Sequence, residues 1–414
     1  MFCLNVFFWL VAIMATSACF PVNMSGFFDW TRWFPLAANV PVTPRTLAEM
    51  VLPHGYPLEQ HRVETEDGYL LNLFRIPYGK KGMVDKNPRT PLLLQHGILA
   101  DSSCWVLSGP EQGLAFLLAD NGYDVWLGNS RGTSYSREHK TLDADVDKKE
   151  YWNFSFHEMG YYDMPAMIDF ITEYTKQEKI VYVGHSQGTT VFFTMASTRP
   201  EYNNKVKLMT AMAPIAFLEH TRGPVHSILS SYAYLLTTFV KWMGIYEIPN
   251  NYLLHLIDRN LCQRTAMTRP ICDNLLFLVA GYDSQELNVS LVPVIAENSP
   301  SGASTKQFIH FGQLENNGGK FQMFDYGSDN KRQYGTNKPP DYPLHKITTP
   351  VILHYSENDW LAGVDDVEKL FKSLPNVRKY EVPYAYFNHL DFLWAIDVKP
   401  LLYDLVIKTL DEYK

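Results

Sequence analysis

Gly184-His185-Ser186-Gln187-Gly188 follows the apolar run Ile180-Val181-Tyr182-Val183 and precedes a long helix-like stretch. A serine in a G-x-S-x-G turn between strand and helix is held out at the sheet edge, where a histidine can take its proton. Glycines two positions to either side let strand and helix approach without Cβ bulk. The pattern points to a serine hydrolase, but it occurs twice. Gly128-Asn129-Ser130-Arg131-Gly132 also follows a strand-like run, at 123–127. The sequels separate the two. Gly188 leads into Thr189-Thr190-Val191-Phe192-Phe193-Thr194-Met195-Ala196, apolar enough for a buried helix, whereas Gly132 leads into residues 133–149, which read as a polar surface loop. Ser186 is the expected nucleophile and Ser130 a strand-end turn serine.

A serine hydroxyl needs a base to take its proton and an acid to orient that base. In α/β-hydrolases these follow the serine in the order acid, then histidine. Asp359 lies in Ser356-Glu357-Asn358-Asp359-Trp360, just past a strand-like segment. Glu357, Asp365 and Asp366 are rivals, the last two placed where acids favour a helix start. His389, the last of thirteen histidines, sits in Tyr386-Phe387-Asn388-His389-Leu390-Asp391-Phe392 after the final strand-like run. A lone histidine is more often structural, yet position in the chain favours His389 over His354, inside a strand, and His185, the spacer of the turn. The oxyanion needs two backbone donors. Gln187 supplies one, and the loop after His96-Gly97 supplies the other, at Leu99. His96 itself reads as a loop-structuring residue.

The elements that must position these residues alternate. Strand-like runs at 92–97, 123–127, 180–186 and 206–213 are separated by helix-like stretches at 111–121, 161–175 and after 186. Near-continuous apolar strands in such an alternation predict a mostly parallel sheet covered on both faces. Residues 62–65 and 69–75 alternate around Asp67-Gly68 and predict an antiparallel hairpin. From 217 to 340 the rhythm stops, with a strongly apolar run at 232–242 and a loop at Asn316-Asn317-Gly318-Gly319. It resumes at 350–355, with a helix at 364–374 and a terminal helix after His389. The expected organisation is an α/β core at 42–216 and 341–414, carrying a largely helical cap at 217–340 over the carboxyl edge of the sheet.

The chain has 414 residues, 46% hydrophobic and 19% charged, as expected of a globular protein without long disordered tracts. Its net charge of −8 and lack of a basic stripe argue against nucleic acid. No H-E-x-x-H, Cys-x-x-Cys pair, EF-hand loop or phosphate-cradling glycine loop occurs, so neither metal nor cofactor is expected. Residues 1–18 carry no charged side chain and close on Ala15-Thr16-Ser17-Ala18, a secretory signal pattern that lacks the usual leading Lys or Arg. An uncleaved anchor is the alternative. Sequons at Asn23, Asn153 and Asn288 fit secretion. Past the signal region stand Cys104, a packed thiol beside Trp105, and Cys262 and Cys272, close enough to bridge a short loop.

These strings together resemble the acid lipases, the gastric and lysosomal enzymes with their invertebrate relatives. The resemblance rests on Leu94-Gln95-His96-Gly97-Ile98-Leu99, on residues 122–132 and 184–190, and on Asn388-His389-Leu390-Asp391-Phe392. Gly318-Gly319-Lys320-Phe321-Gln322 is similar to the cap of that family. The resemblance implies an α/β-hydrolase fold with Ser186, Asp359 and His389 as triad and Leu99 and Gln187 as oxyanion donors. It also implies a Cys262–Cys272 disulfide, with spacing one residue longer than in mammalian members. The implied activity is a secreted or lysosomal lipase acting on long-chain acyl esters of neutral lipids, triacylglycerol or cholesteryl ester, at a lipid–water interface. A thioesterase or acyltransferase would share the acyl-enzyme chemistry, and a noncatalytic lipid-binding homologue would share only the fold.

Overall fold

The computed structural model describes residues 45–82, 88–223, 243–248 and 280–414. The expected signal peptide, Asn23, the apolar run at 232–242, Cys262 and Cys272 lie outside the described residues. β1 (Glu59–Glu64) and β2 (Tyr69–Ile76) form the expected antiparallel hairpin. Further strands are β3 (Pro91–Gln95), β4 (Asp124–Leu127), β5 (Glu138–His139), β6 (Ile180–His185) and β7 (Val206–Met212). A short pair, β8 (Glu247–Ile248) with β9 (Ala303–Ser304), precedes β10 (Val351–Tyr355) and β11 (Val377–Glu381).

Among the described residues the main sheet runs β1-β2-β4-β3-β6-β7-β10-β11, with β5 beside β2. Every pairing from β4 across to β11 is parallel. β3 and β6 are buried along their whole length, which is why their sequences run apolar without alternation. Helices α1 (Leu114–Asp120), α2 (Met164–Thr175) and α3 (Gln187–Thr198) cover the sheet around these strands. From β3 the chain moves to β4 on one side and later to β6, β7 and β10 on the other. That reversal opens a crevice at the carboxyl ends of β3 and β6.

The structure corrects two local expectations and refines a third. Residues 133–149 are not wholly a surface loop. Glu138 and His139 pair with β2, and the buried Ser136 accepts from Asn72 N and donates to Asn129 O, each at 3.0 Å. The helix expected from 111 begins at Leu114, because Gly113 N bonds Gly109 O at 2.6 Å in a turn that puts Gly109 at φ 75°. The helix expected from 161 is preceded by a wider turn, Met159–Asp163. There a Cβ on Gly160 would lie 2.7 Å from Val191 O of α3, so the two backbones touch.

Within 280–340 stand α4 (Val292–Asn298), α5 (Thr305–Glu315) and a short helix, Asn330–Tyr334. Ala280 O accepts from Trp360 N at 3.3 Å and from His389 N at 3.2 Å, while Ser301 N donates to Leu99 O at 2.8 Å. This stretch therefore lies against the loops at the carboxyl edge. α6 (Val364–Ser373) and α7 (Asp404–Asp411) pack on β10 and β7. Among the described residues no helix is long and apolar enough to cross a membrane.

Candidate active site

β6 ends at His185 and α3 begins at Gln187, leaving Ser186 alone at the corner with φ 53° and ψ −122°. Such a backbone costs a non-glycine residue about 1–3 kcal/mol and persists only where the surroundings impose it. They do so here. A Cβ on Gly184 would lie 2.7 Å from Gly188 O, and one on Gly188 would lie 2.3 Å from Gln95 O. Ser186 N donates to Met212 O at 3.1 Å, and Ser186 O accepts from Thr189 N at 2.8 Å and from Thr189 Oγ1 at 2.7 Å. Ser186 Oγ forms no hydrogen bond among the described residues, and catalytic hydrogen bonds commonly tighten only once substrate is bound.

Asp359 comes from the loop after β10, and His389 from the loop after β11. His389 Nδ1 meets Asp359 Oδ2 at 2.8 Å, and both residues are buried. Asp359 Oδ1 also accepts from Leu361 N and Ala362 N at 2.8 Å each. Burial alone would raise this carboxyl, but the adjacent His389 and these donors outweigh it and hold the group below its ordinary 3.8. His389 is set against the serine turn: His185 Nε2 bonds His389 O at 3.0 Å, and the two rings lie 5.0 Å apart. Burial, and then the proximity of His389, push His185 down to about 3, so it remains a neutral spacer.

The rivals fall away on geometry. Glu357 and Asp365 are exposed. Asp366 is buried, but its carboxylate accepts from His220 N at 2.8 Å and meets His220 Nδ1 at 3.1 Å. His354 is enclosed within β10, where burial pushes it down to about 3. His96 has the structuring role expected of it: Nδ1 bonds Gly97 O at 2.7 Å, and Nε2 accepts from Ser130 N at 3.1 Å.

Leu99 lies in the loop after β3 at φ 62°, in the left-handed region that costs a leucine roughly 1–2 kcal/mol. Gly97 passes so close to the serine turn that a Cβ there would sit 3.0 Å from Ser186 Cβ. Gln187 opens α3, and its N–H is among those left without an intrahelical partner. Gln187 thus follows Ser186 directly in the chain, and the loop that carries Leu99 passes against the serine turn at Gly97.

Comparison with known proteins shows the family. Residues 47–109 match a family described as a partial alpha/beta-hydrolase lipase region, and residues 90–247 match the alpha/beta hydrolase fold. Lipase 3 of Drosophila melanogaster is 42% identical over 382 residues, covering 92% of this chain and 95% of that protein. Gastric triacylglycerol lipase of Mus musculus is 39% identical over 408 residues, with 98% and 100% covered. Human lysosomal acid lipase/cholesteryl ester hydrolase is 39% identical over 383 residues, with 92% and 94% covered. The chain belongs to the acid lipase family. It is accordingly an enzyme of the carboxylic ester hydrolase class with the α/β-hydrolase fold.

In this acid lipase the second G-x-S-x-G is a structural hub. Ser130 Oγ accepts from Gln95 Nε2 at 2.9 Å, and Asn129 bridges Ser102 N at 2.9 Å and Asn72 O at 3.0 Å. Arg131 is fully buried and pairs with Asp163 at 2.6 Å and Asp67 at 2.6 Å, with its guanidinium 3.9 Å over the Tyr69 ring. Cys104 is packed away, and burial pushes its thiol up. Of the sequons, Asn153 is exposed, while Asn288 is half-buried with Oδ1 accepting from Ser290 N at 3.1 Å. Sequence reasoning missed the residues of 280–310 that touch the site, Ala280 and Ser301 above all. Their contacts are long-range, and no local pattern marks them.

Proposed function

We propose that this lipase hydrolyses long-chain acyl esters of neutral lipids, triacylglycerol or cholesteryl ester, through an acyl-enzyme on Ser186. The supporting observation is the His389–Asp359 pair set beside the strained serine turn. His389 takes the Ser186 proton as Oγ attacks the ester carbonyl. The Leu99 and Gln187 N–H groups receive the oxyanion, and protonated His389 passes its proton to the departing alcohol. Water, deprotonated by His389, then releases the fatty acid. Asp359 keeps Nδ1 protonated and Nε2 facing the serine throughout.

The cap is assigned to 217–340, between core segments 42–216 and 341–414, and Cys262–Cys272 to a disulfide within it. Exposed Tyr282 and Tyr386 flank the His389 loop, where Asn358 Nδ2 donates to Tyr282 O at 2.9 Å and to Tyr386 O at 2.7 Å. Aromatic side chains beside the site suit contact with a lipid–water interface. The apolar 1–18 segment and the lysosomal and gastric relatives support a secreted or lysosomal destination. Exposed Asn153 is the favoured glycosylation site. The test is a substrate panel of triolein, cholesteryl oleate and soluble butyrate esters between acid and neutral pH. Cleavage of the long-chain emulsions is expected, and cleavage of soluble esters alone would contradict the substrate class.

A further inference from the structure

The two oxyanion donors proposed above come from a loop and from the start of α3, yet the residues that carry them are both tied to one short stretch of the inserted region. On one side, Ser301 N donates to Leu99 O at 2.8 Å, and Ser301 Oγ donates to Asp101 Oδ2 at 2.5 Å. Asp101 Oδ1 accepts from Ser103 N at 2.8 Å, and Ser301 O accepts from Ser134 N at 2.8 Å. The left-handed Leu99 is therefore held from the cap side as well as by its own loop. On the other side, Gln187 Nε2 donates to Gln307 Oε1 of α5 at 2.7 Å. Both glutamines are buried, as is Ser301.

The stretch joining the two ties is itself anchored. Ser304 Oγ accepts from Lys306 N at 3.1 Å, capping α5, and donates to Trp152 O at 2.7 Å. Ala303 and Ser304 pair with β8. A fixed segment thus contacts both halves of the hole. Oxyanion donors act only when held about 2.7–3.1 Å from the developing charge, and small misplacements cost rate steeply.

We propose that Ser301 and Gln307 are positioning residues of the oxyanion hole, with 301–307 bracing its two donors across Ser186. This rests on the roles given above to Ser186, Leu99 and Gln187. The test uses Ser301→Ala, which removes Oγ and keeps the backbone N–H, and Gln307→Met, which keeps volume and removes the acceptor. A soluble short-chain ester serves as substrate, so that binding to an interface does not enter. Each variant is expected to lose on the order of 10-fold in kcat with KM within about twofold. Affinity for a trifluoromethyl ketone, whose adduct with Ser186 carries the oxyanion, is expected to fall by the same factor. Gln307→Glu retains an acceptor oxygen and is expected to recover most of the kcat. Wild-type kcat and ketone affinity in both single variants would overturn the proposal, whatever happens to thermal stability. A kcat loss without loss of ketone affinity would overturn it too. Full activity of Ser186→Ala would instead overturn the underlying assignment of the nucleophile, so the two failures are distinguishable.

Discussion

His389 Nδ1 and Asp359 Oδ2 lie 2.8 Å apart in a pocket that buries both, and Asp359 Oδ1 is occupied by two backbone N–H groups. The carboxylate therefore has one orientation and the imidazole one tautomer. Asp359→Asn keeps the shape, but the amide cannot serve the two N–H groups and the imidazole alike. It is expected to lower kcat by about 10⁴, as loss of the acid does in other triads. Steady-state kinetics on a soluble ester check this, and a change under tenfold would remove Asp359 from its role.

Ser130 shares its pentapeptide pattern with Ser186 but faces Gln95 inside the core. Ser130→Ala deprives the buried Gln95 Nε2 of its acceptor. The expected cost is about 1–3 kcal/mol of stability, with kcat/KM unchanged on the remaining folded enzyme. Urea denaturation and active-site titration together measure both quantities.

Arg131 is the only cation paired with Asp163 among the described residues, and Asp163 is fully buried. Burial pushes Asp163 up to about 6 even with Arg131 opposing it. Arg131→Met leaves that carboxyl uncompensated and is expected to cost about 3–5 kcal/mol. Part of this loss should be recovered in Arg131→Met with Asp163→Asn, which a double-mutant cycle in denaturant would show.

Asp391, two residues beyond His389, is pushed up to about 8 by burial and by the Asp283 and Glu286 carboxylates, against the opposing Asn388 N–H. A carboxyl raised from its ordinary 3.8 stays protonated in the folded chain at pH values where the unfolded chain has released that proton. Its contribution to stability is therefore greatest in acid and declines as pH rises through about 4 to about 8. Asp391→Asn removes this titration while leaving an oxygen for Asn388 N. The difference in thermal midpoint between pH 5 and pH 8 is expected to shrink in the variant.

Much of the candidate site was legible in the sequence because its signals are local. Strand, serine turn and helix are contiguous, and the order of Ser186, Asp359 and His389 follows the order of the strands that deliver them. The hairpin at Asp67-Gly68 and the fully buried β3 and β6 were legible for the same reason. Pairing of Glu138 and His139 with β2 was not, since two polar residues carry no strand periodicity and owe their pairing to the hairpin beside them. Nor were the ties from Ser301 to Leu99 and from Gln307 to Gln187, which join positions 202 and 120 residues apart. They depend on how the inserted stretch folds back over the sheet, and residue spacing does not report that.

Covalent trapping distinguishes Ser186 from Ser130 as the nucleophile. The enzyme would be treated with a long-chain fluorophosphonate and the labelled peptide identified by mass spectrometry, with triolein hydrolysis measured in parallel for wild type, Ser130→Ala and Ser186→Ala. Label on Ser186 alone, wild-type turnover in Ser130→Ala, and loss of both label and turnover in Ser186→Ala are expected. Label on Ser130, or near-normal triolein hydrolysis by Ser186→Ala, would overturn the assignment of Ser186 as nucleophile.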